Sequence, residues 1–220
     1  MTGLEWKDQK FANEWIARDV LADLLDLPRR IASAVVGLPG APATVVDIGS
    51  GPGAFLARFL DDYPTAHGTW TDASEAMEPA ARERLARFDS RVDYRLAYLE
   101  DLSAVPSGVD VITTSRASHH LSVDALYAFY ASAFNHLRPG GWIVNLDHVD
   151  GDPGWDTRLR AARRQVIPPA PLPGEHPHHH DNPRPTADEH RSALTAAGFG
   201  EIETPWKSFV TCLFMARRPV

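Results

Sequence analysis

The run Val45-Val46-Asp47-Ile48-Gly49-Ser50-Gly51-Pro52-Gly53-Ala54-Phe55 decides the fold of this chain. Val45, Val46 and Ile48 are β-branched and read as a strand buried on both faces. The strand breaks into three glycines at alternate positions, Gly49, Gly51 and Gly53, which present no Cβ to keep a ligand off the backbone. Ala54, Phe55, Leu56, Phe59 and Leu60 then open a helix. A strand, a glycine turn and a helix N-terminus together form a nucleotide-type site at the carboxyl edge of a parallel sheet.

Outward from this run the pattern repeats. Gly68-Thr69-Trp70-Thr71 reads as a second strand with Asp72 at its end, where a carboxylate accepts both hydroxyl protons of a ribose. Strands near 44–48, 68–71, 92–96, 109–114 and 142–147 alternate with helices over 53–61, 74–88 and 123–136. The last of these helices is expected to stop at Pro139-Gly140-Gly141. Such βα repeats predict a parallel sheet with helices on both faces. Thr186-x-x-Glu189 is a capping box for a final helix ending at Gly198. Residues 202–206 and 209–216 lie too close in sequence for a crossover helix, so they should pair antiparallel.

Three regions result. Residues 1–40 read as a helical cap, with an amphipathic helix over 8–25 and a second short helix opening at Pro28 and running through Val36. Residues 41–148 and 186–220 form the core. Residues 149–185 hold eight prolines and one helix, over 155–166, and read as an insert lying over the site as a substrate lid.

Composition narrows the function. The chain has 220 residues, enough for one full core, and 44% of them are hydrophobic. It has no long apolar run and no basic-then-apolar leader, so a cytoplasmic location is expected. Cys212 is the single cysteine, which fits a reducing compartment. Lys7, Lys10 and Lys207 are the only lysines; the bias to arginine and alanine points to a GC-rich bacterial genome. A net charge of -7 argues against nucleic acid as a partner. Arg158, Arg160, Arg163 and Arg164 read as a solvated helix face. Oligomeric state is not legible.

The glycines alone leave the nucleotide open, because Gly49-x-Gly51-x-x-Ala54 also satisfies a dinucleotide fingerprint. The stretches around them are more specific. The D-x-G-x-G-x-G spacing from Asp47 to Gly53 resembles class I S-adenosylmethionine-dependent methyltransferases. So do Asp72-Ala73-Ser74-Glu75-Ala76-Met77, the strand Val109 to Ser115 followed by His119-His120-Leu121, the corner Leu137-Arg138-Pro139-Gly140-Gly141-Trp142, and Leu194 to Phe199. The resemblance implies an α/β, doubly wound, Rossmann-like fold. Its seven-stranded sheet would be mostly parallel, with an antiparallel C-terminal strand pair and the helical N-terminal cap. It implies methyl transfer to oxygen, nitrogen or carbon of a small molecule, with S-adenosylmethionine as cofactor and S-adenosylhomocysteine as product. By the same resemblance Asp47 braces the loop near the methionine part, and Gly49, Gly51 and Gly53 admit the cofactor. Asp72 binds the ribose, and Ala73 and Met77 flank the adenine. Leu99, Glu100, Asp101 and Ser115 complete the implied set. The third motif departs from the family's Gly-Asp-Ala-Glu-Asp-Leu: this chain has Ala97-Tyr98-Leu99-Glu100-Asp101-Leu102, with Tyr98 in place of an adenine-contacting acid.

On the acceptor side His119 and His120 follow the fourth strand and His148 the fifth, so each is a candidate base. Asp147 is a candidate to orient His148 or to touch the acceptor, and Trp6, Phe11, Trp15 and Trp155 are candidates to line its pocket. No metal is expected; His178, His179, His180 and Asp181 are the only alternative. Three other functions compete: a cofactor-binding or cyclising protein of the same fold, a methyltransferase of RNA or protein, and a nicotinamide oxidoreductase.

Overall fold

A computed structural model describes residues 22–167 and 183–220. Trp6, Phe11 and Trp15, most of the expected first helix, and His178, His179, His180 and Asp181 lie outside the described residues. The elements are α1 (Ala22–Gly37), β1 (Thr44–Ile48), α2 (Ala54–Asp62), β2 (His67–Asp72), α3 (Glu78–Leu85), β3 (Val92–Leu96), β4 (Val109–Ser115), α4 (Val123–His136), β5 (Leu137–His148), α5 (Pro153–Val166), α6 (Ala187–Ala197), β6 (Gly200–Ser208) and β7 (Thr211–Arg217).

The strands form one sheet in the order β3-β2-β1-β4-β5-β7-β6. The first five are parallel, and β7 runs antiparallel to both β5 and β6. The order reverses between β1 and β4, so the loops after these two strands diverge and leave a crevice at the carboxyl edge. Two apolar layers cover the sheet. Leu25, Phe55, Phe59 and Trp70 fill one face; Leu126, Phe129, Ala193 and Leu194 fill the other. Each of these leucine and phenylalanine side chains contributes roughly 1.5–3 kcal/mol when fully buried. Among the described residues no helix is long and apolar enough to cross a membrane.

Three local expectations are corrected. Pro28 does not open a helix; it lies inside the continuous α1. Its fixed φ suits a helix, and the lost N–H bond is offset by burial of Leu25, Ala32 and Val36. The helix expected over 74–88 divides into a 3₁₀ turn, Glu75–Met77, the short α3, and a second 3₁₀ segment. Pro79 stands in the first turn of α3, where its missing N–H has no helical partner to lose, and Asp89 at φ 51 ends the helical path. α4 spans Val123–His136, the range expected, and Arg138, which precedes Pro139, stays out of the helical region. Pro139, Gly140 and Gly141 belong to β5, where the register shifts between Val109 and Val111. A Cβ on Gly141 would come within 2.9 Å of the Arg138 carbonyl, so glycine permits this irregularity. The strand expected over 142–147 is therefore longer. α5 buries none of its residues, in keeping with a solvated arginine face.

Candidate active site

The glycine loop is held by two carboxylates. Asp47 is buried at the end of β1. Its Oδ1 accepts from Thr113 Oγ1 at 2.7 Å, and its Oδ2 accepts from Ser50 Oγ at 2.5 Å and Leu56 N at 3.2 Å. Burial raises its pKa to about 6 against these hydrogen bonds. Both oxygens are engaged, so Asp47 ties β1, β4, the loop and α2 together. Asp72 Oδ2 accepts from Gly51 N at 2.7 Å and Oδ1 from Ser74 N at 2.8 Å, and burial raises its pKa. Trp70 Nε1 donates to the Gly51 carbonyl at 2.8 Å. Gly51 is thereby fixed from both sides by β2, at φ +53, with open space where a side chain would stand.

The rest of the expected cofactor set divides. A Cβ on Gly49 would lie 2.7 Å from Ala117 Cβ and 3.3 Å from Leu99 Cδ1, so the glycine loop, the turn at 99 and the loop after β4 converge there. Gly53 packs over Leu85. Ala73 is half-buried beside Asp72, whereas Met77 is buried among the apolar residues of the core. Tyr98, Glu100 and Asp101 are exposed. The Asp101 carboxylate accepts from Ser103 N at 2.9 Å and caps its own turn. That bond and the Ser103 hydroxyl lower its pKa. Ser115 Oγ and Thr114 Oγ1, at the end of β4, are buried and have no hydrogen-bond partner among the described residues.

These features fit an adenosyl cofactor. Asp72 offers an acceptor carboxylate at the strand end, Gly51 offers a face without a side chain, and Ser115 at the end of β4 has a buried hydroxyl without a hydrogen-bond partner among the described residues.

On the acceptor side the loops after β4 and β5 meet. Asp147, fully buried, accepts through Oδ2 from Ala117 N at 3.2 Å, Ser118 Oγ at 2.7 Å and His119 N at 3.0 Å. Its Oδ1 receives His148 N at 2.7 Å and lies 2.5 Å from His119 Nδ1. Burial works to raise its pKa, but the His119 ring, by charge and hydrogen bond, holds it well below the usual carboxylate range, with help from His148 and Ser118. Asp147 therefore orients His119, not the adjacent His148 named in the sequence. The His120 ring lies 4.2 Å from that of His119, tilted by 37°, and the His148 ring lies 5.5 Å away. His148 Nδ1 is 2.9 Å from Thr211 Oγ1; burial, and then the charge of His119, lowers its pKa to about 3. Trp155 is not brought into this group: it is 62% exposed on α5, near the Arg158 guanidinium. Among the described residues no group of three or more His, Cys, Asp or Glu is placed to hold a metal.

Sequence reasoning passed over Thr113, Ser118 and Asn145. The signal was present: polar residues inside runs that otherwise read as buried strand or packed turn.

Residues 45–141 match the model of the methyltransferase domain family. The chain is 29% identical over 174 residues to a malonyl-[acyl-carrier protein] O-methyltransferase of Geobacter sulfurreducens, a match covering 79% of this chain and 62% of that protein. It is 33% identical over 184 residues to a trans-aconitate 2-methyltransferase of Azoarcus sp., covering 76% and 63%. It thus spans less than two thirds of these relatives. Among solved structures, human N-acetylserotonin methyltransferase in complex with SAM superposes with a TM-score of 0.70 at 14% identity, over 99% of this chain and 59% of that one. At that identity the likeness concerns the fold. Strand order, glycine loop and relatives agree: over residues 45–141 the chain is similar to the methyltransferase domain family, and its sheet has the doubly wound order.

Proposed function

We propose that this protein transfers a methyl group from S-adenosylmethionine to a hydroxyl oxygen of a small molecule, with His119 as the base. The observation that carries the reading is the buried His119–Asp147 pair at the carboxyl edge, across the crevice from the glycine loop. The cofactor supplies an electrophilic methyl on a sulfonium. Asp72 would take the ribose hydroxyls, the backbone at Gly49 and Gly51 would admit the methionine part, and Ser115 would close the crevice from β4. With the Nδ1 hydrogen directed to Asp147, Nε2 of the His119 imidazole is the atom that would take the acceptor proton. Asp147 stays ionised and stabilises the imidazolium that forms. His148, with its lowered pKa, stays neutral at working pH and adds no competing charge.

A second reading is favoured by the names of the relatives. Malonyl and aconitate groups carry carboxylates, which are nucleophiles without a base. The two readings differ in what His119 does. Calorimetric titration with S-adenosylhomocysteine, S-adenosylmethionine and NAD comes first, on the parent chain and on Asp72→Ala. Both adenosyl compounds should bind, and the variant should lose them; binding of NAD alone would overturn the cofactor. Acceptors bearing hydroxyls or carboxylates are then screened with labelled methyl donor. His119→Gln should lower turnover by roughly 10²–10⁴-fold on a hydroxyl acceptor. Unchanged turnover, with carboxylates as the only acceptors, replaces the first reading by the second.

A further inference from the structure

Behind His119 and Asp147 a line of buried polar side chains runs back into the helices that cover the sheet. Ser118 Oγ donates to Asp147 Oδ2 at 2.7 Å. Asn145 Nδ2 donates to Ser118 Oγ at 2.8 Å and to Tyr130 Oη at 2.8 Å. Tyr130 Oη lies 2.8 Å from His190 Nδ1. None of these four residues exceeds 1% exposure. They come from four places: the turn after β4, then β5, α4 and α6.

The hydrogen-bond directions follow by elimination. A carboxylate only accepts, so the Ser118 proton goes to Asp147 and its lone pair takes one amide hydrogen of Asn145. The other amide hydrogen goes to Tyr130, whose own proton goes to His190 Nδ1. Asn145 is thus the source of both branches. His190 must keep Nδ1 unprotonated, and burial lowers its pKa to about 4. Its ring is stacked on Phe214, with centroids 4.6 Å apart and planes at 14°.

The line is costly where it lies. Asn145 Oδ1 and His190 Nε2 are buried with no hydrogen-bond partner among the described residues. Apolar side chains of similar volume would fill the same space without that cost. A polar line that ends on the carboxylate gripping His119 has a use that an apolar filling lacks.

We propose that Ser118, Asn145, Tyr130 and His190 are positioning residues, which fix the Asp147 carboxylate so that it holds the His119 ring in one tautomer and one orientation. The inference deepens the reading of His119 as the base and rests on it for its catalytic consequence. It also makes α4 and α6, on the far side of the sheet edge, part of the precision of the acceptor site. The titratable and charged groups around the pair are His148 on β5, His120 on the same turn as His119, His190 on α6, and Arg116 and Arg184 on the flanking loops.

The test uses the full chain with ¹⁵N-labelled histidine, in four forms: parent, Tyr130→Phe, Ser118→Ala and Ser118→Thr. Phe199→Leu, buried on the same face but outside the line, serves as a stability control. Long-range ¹H–¹⁵N spectra read the tautomer of His119 and its titration midpoint without any acceptor. Turnover and KM against pH are read with an acceptor from the screen. The parent should show His119 protonated at Nδ1. Tyr130→Phe and Ser118→Ala should mix the tautomers or displace the midpoint, and lower turnover roughly tenfold with KM unchanged. Ser118→Thr, which keeps the hydroxyl, should restore both. An unaltered His119 spectrum in both variants overturns the proposal, and so does an equal change in Phe199→Leu. If the spectra change as expected but His119→Gln turns over like the parent, the positioning role stands and the base role of His119 falls.

Discussion

At the scale of single residues, two glycines in one loop separate folding from function. Gly49 and Gly51 both have positive φ, which disfavours any side chain by roughly 1–2 kcal/mol. Their surroundings differ: a Cβ on Gly49 meets Ala117 and Leu99, and one on Gly51 meets nothing within 4 Å. Gly49→Ala should therefore lose about 2–4 kcal/mol of stability, adding overpacking to strain. Gly51→Ala should lose about 1 kcal/mol and still fold, yet bind S-adenosylhomocysteine at least tenfold more weakly, because its methyl stands on the open face. Urea unfolding and calorimetry on the two variants check this; normal binding by Gly51→Ala would mean that the cofactor does not approach that backbone. The glycines were legible in the sequence because a ligand-bearing turn requires them. The partner of Asp147 was not. Sequence adjacency suggested His148, but successive side chains of a strand point to opposite faces, so the carboxylate meets His119 from the neighbouring loop.

At the scale of elements, the clearest signals were those whose chemistry is local. Thr186 Oγ1 accepts from Glu189 N at 3.2 Å while Glu189 Oε2 accepts from Thr186 N at 2.6 Å, the capping box expected from spacing alone. Thr186→Ala should cost about 1–2 kcal/mol, seen as a lower urea midpoint with an unchanged slope. A smaller loss would mean that α6 is held by its packing on α4 and not by its cap. α4 was legible from its apolar period, since Leu126, Phe129, Tyr130 and Ala133 are the residues it buries. α1 and the segment after β2 were misread for one reason: a proline marks what a helix cannot do locally. Tertiary burial decides whether the loss is tolerated, as at Pro28; in a first turn, as at Pro79, there is no helical bond to lose.

At the scale of the whole molecule, burial of titratable groups couples stability to pH. His148 and His190, with pKa values lowered to about 3 and about 4, stay neutral when folded but charge when unfolded below their ordinary value. Each contributes stability that is complete at neutral pH and lost as pH falls from about 6.5. Asp47 acts with the opposite sign. Its raised pKa of about 6 gives stability that is present below the ordinary carboxylate range and lost as pH rises through 6. The depressed pKa of Asp147 matters only below that range. Near pH 5, unfolding thus takes up close to two protons at the histidines and releases close to one at Asp47. Replacing His190 by Gln should remove one proton of uptake and lower the slope of stability against pH by about 1.4 kcal/mol per unit. Urea titrations of parent and variant between pH 4.5 and 6 measure the difference, in which all other groups cancel. Equal slopes would show that His190 does not change protonation on unfolding.

The sequence by itself determined the order of strands and helices, the glycine loop, the acid at the end of the second strand and the antiparallel closing pair. Each of these depends on backbone conformation or on a short-range apolar period, which neighbouring residues specify. Only the tertiary structure decided that Asp147 grips His119, that Met77 belongs to the core, that Trp155 stands in solvent, and that a polar line reaches from His119 to His190. The residues in these arrangements are far apart in sequence. What joins them is the stacking of β4, β5 and two helices across one sheet edge, where partners are chosen by distance and burial and not by spacing along the chain.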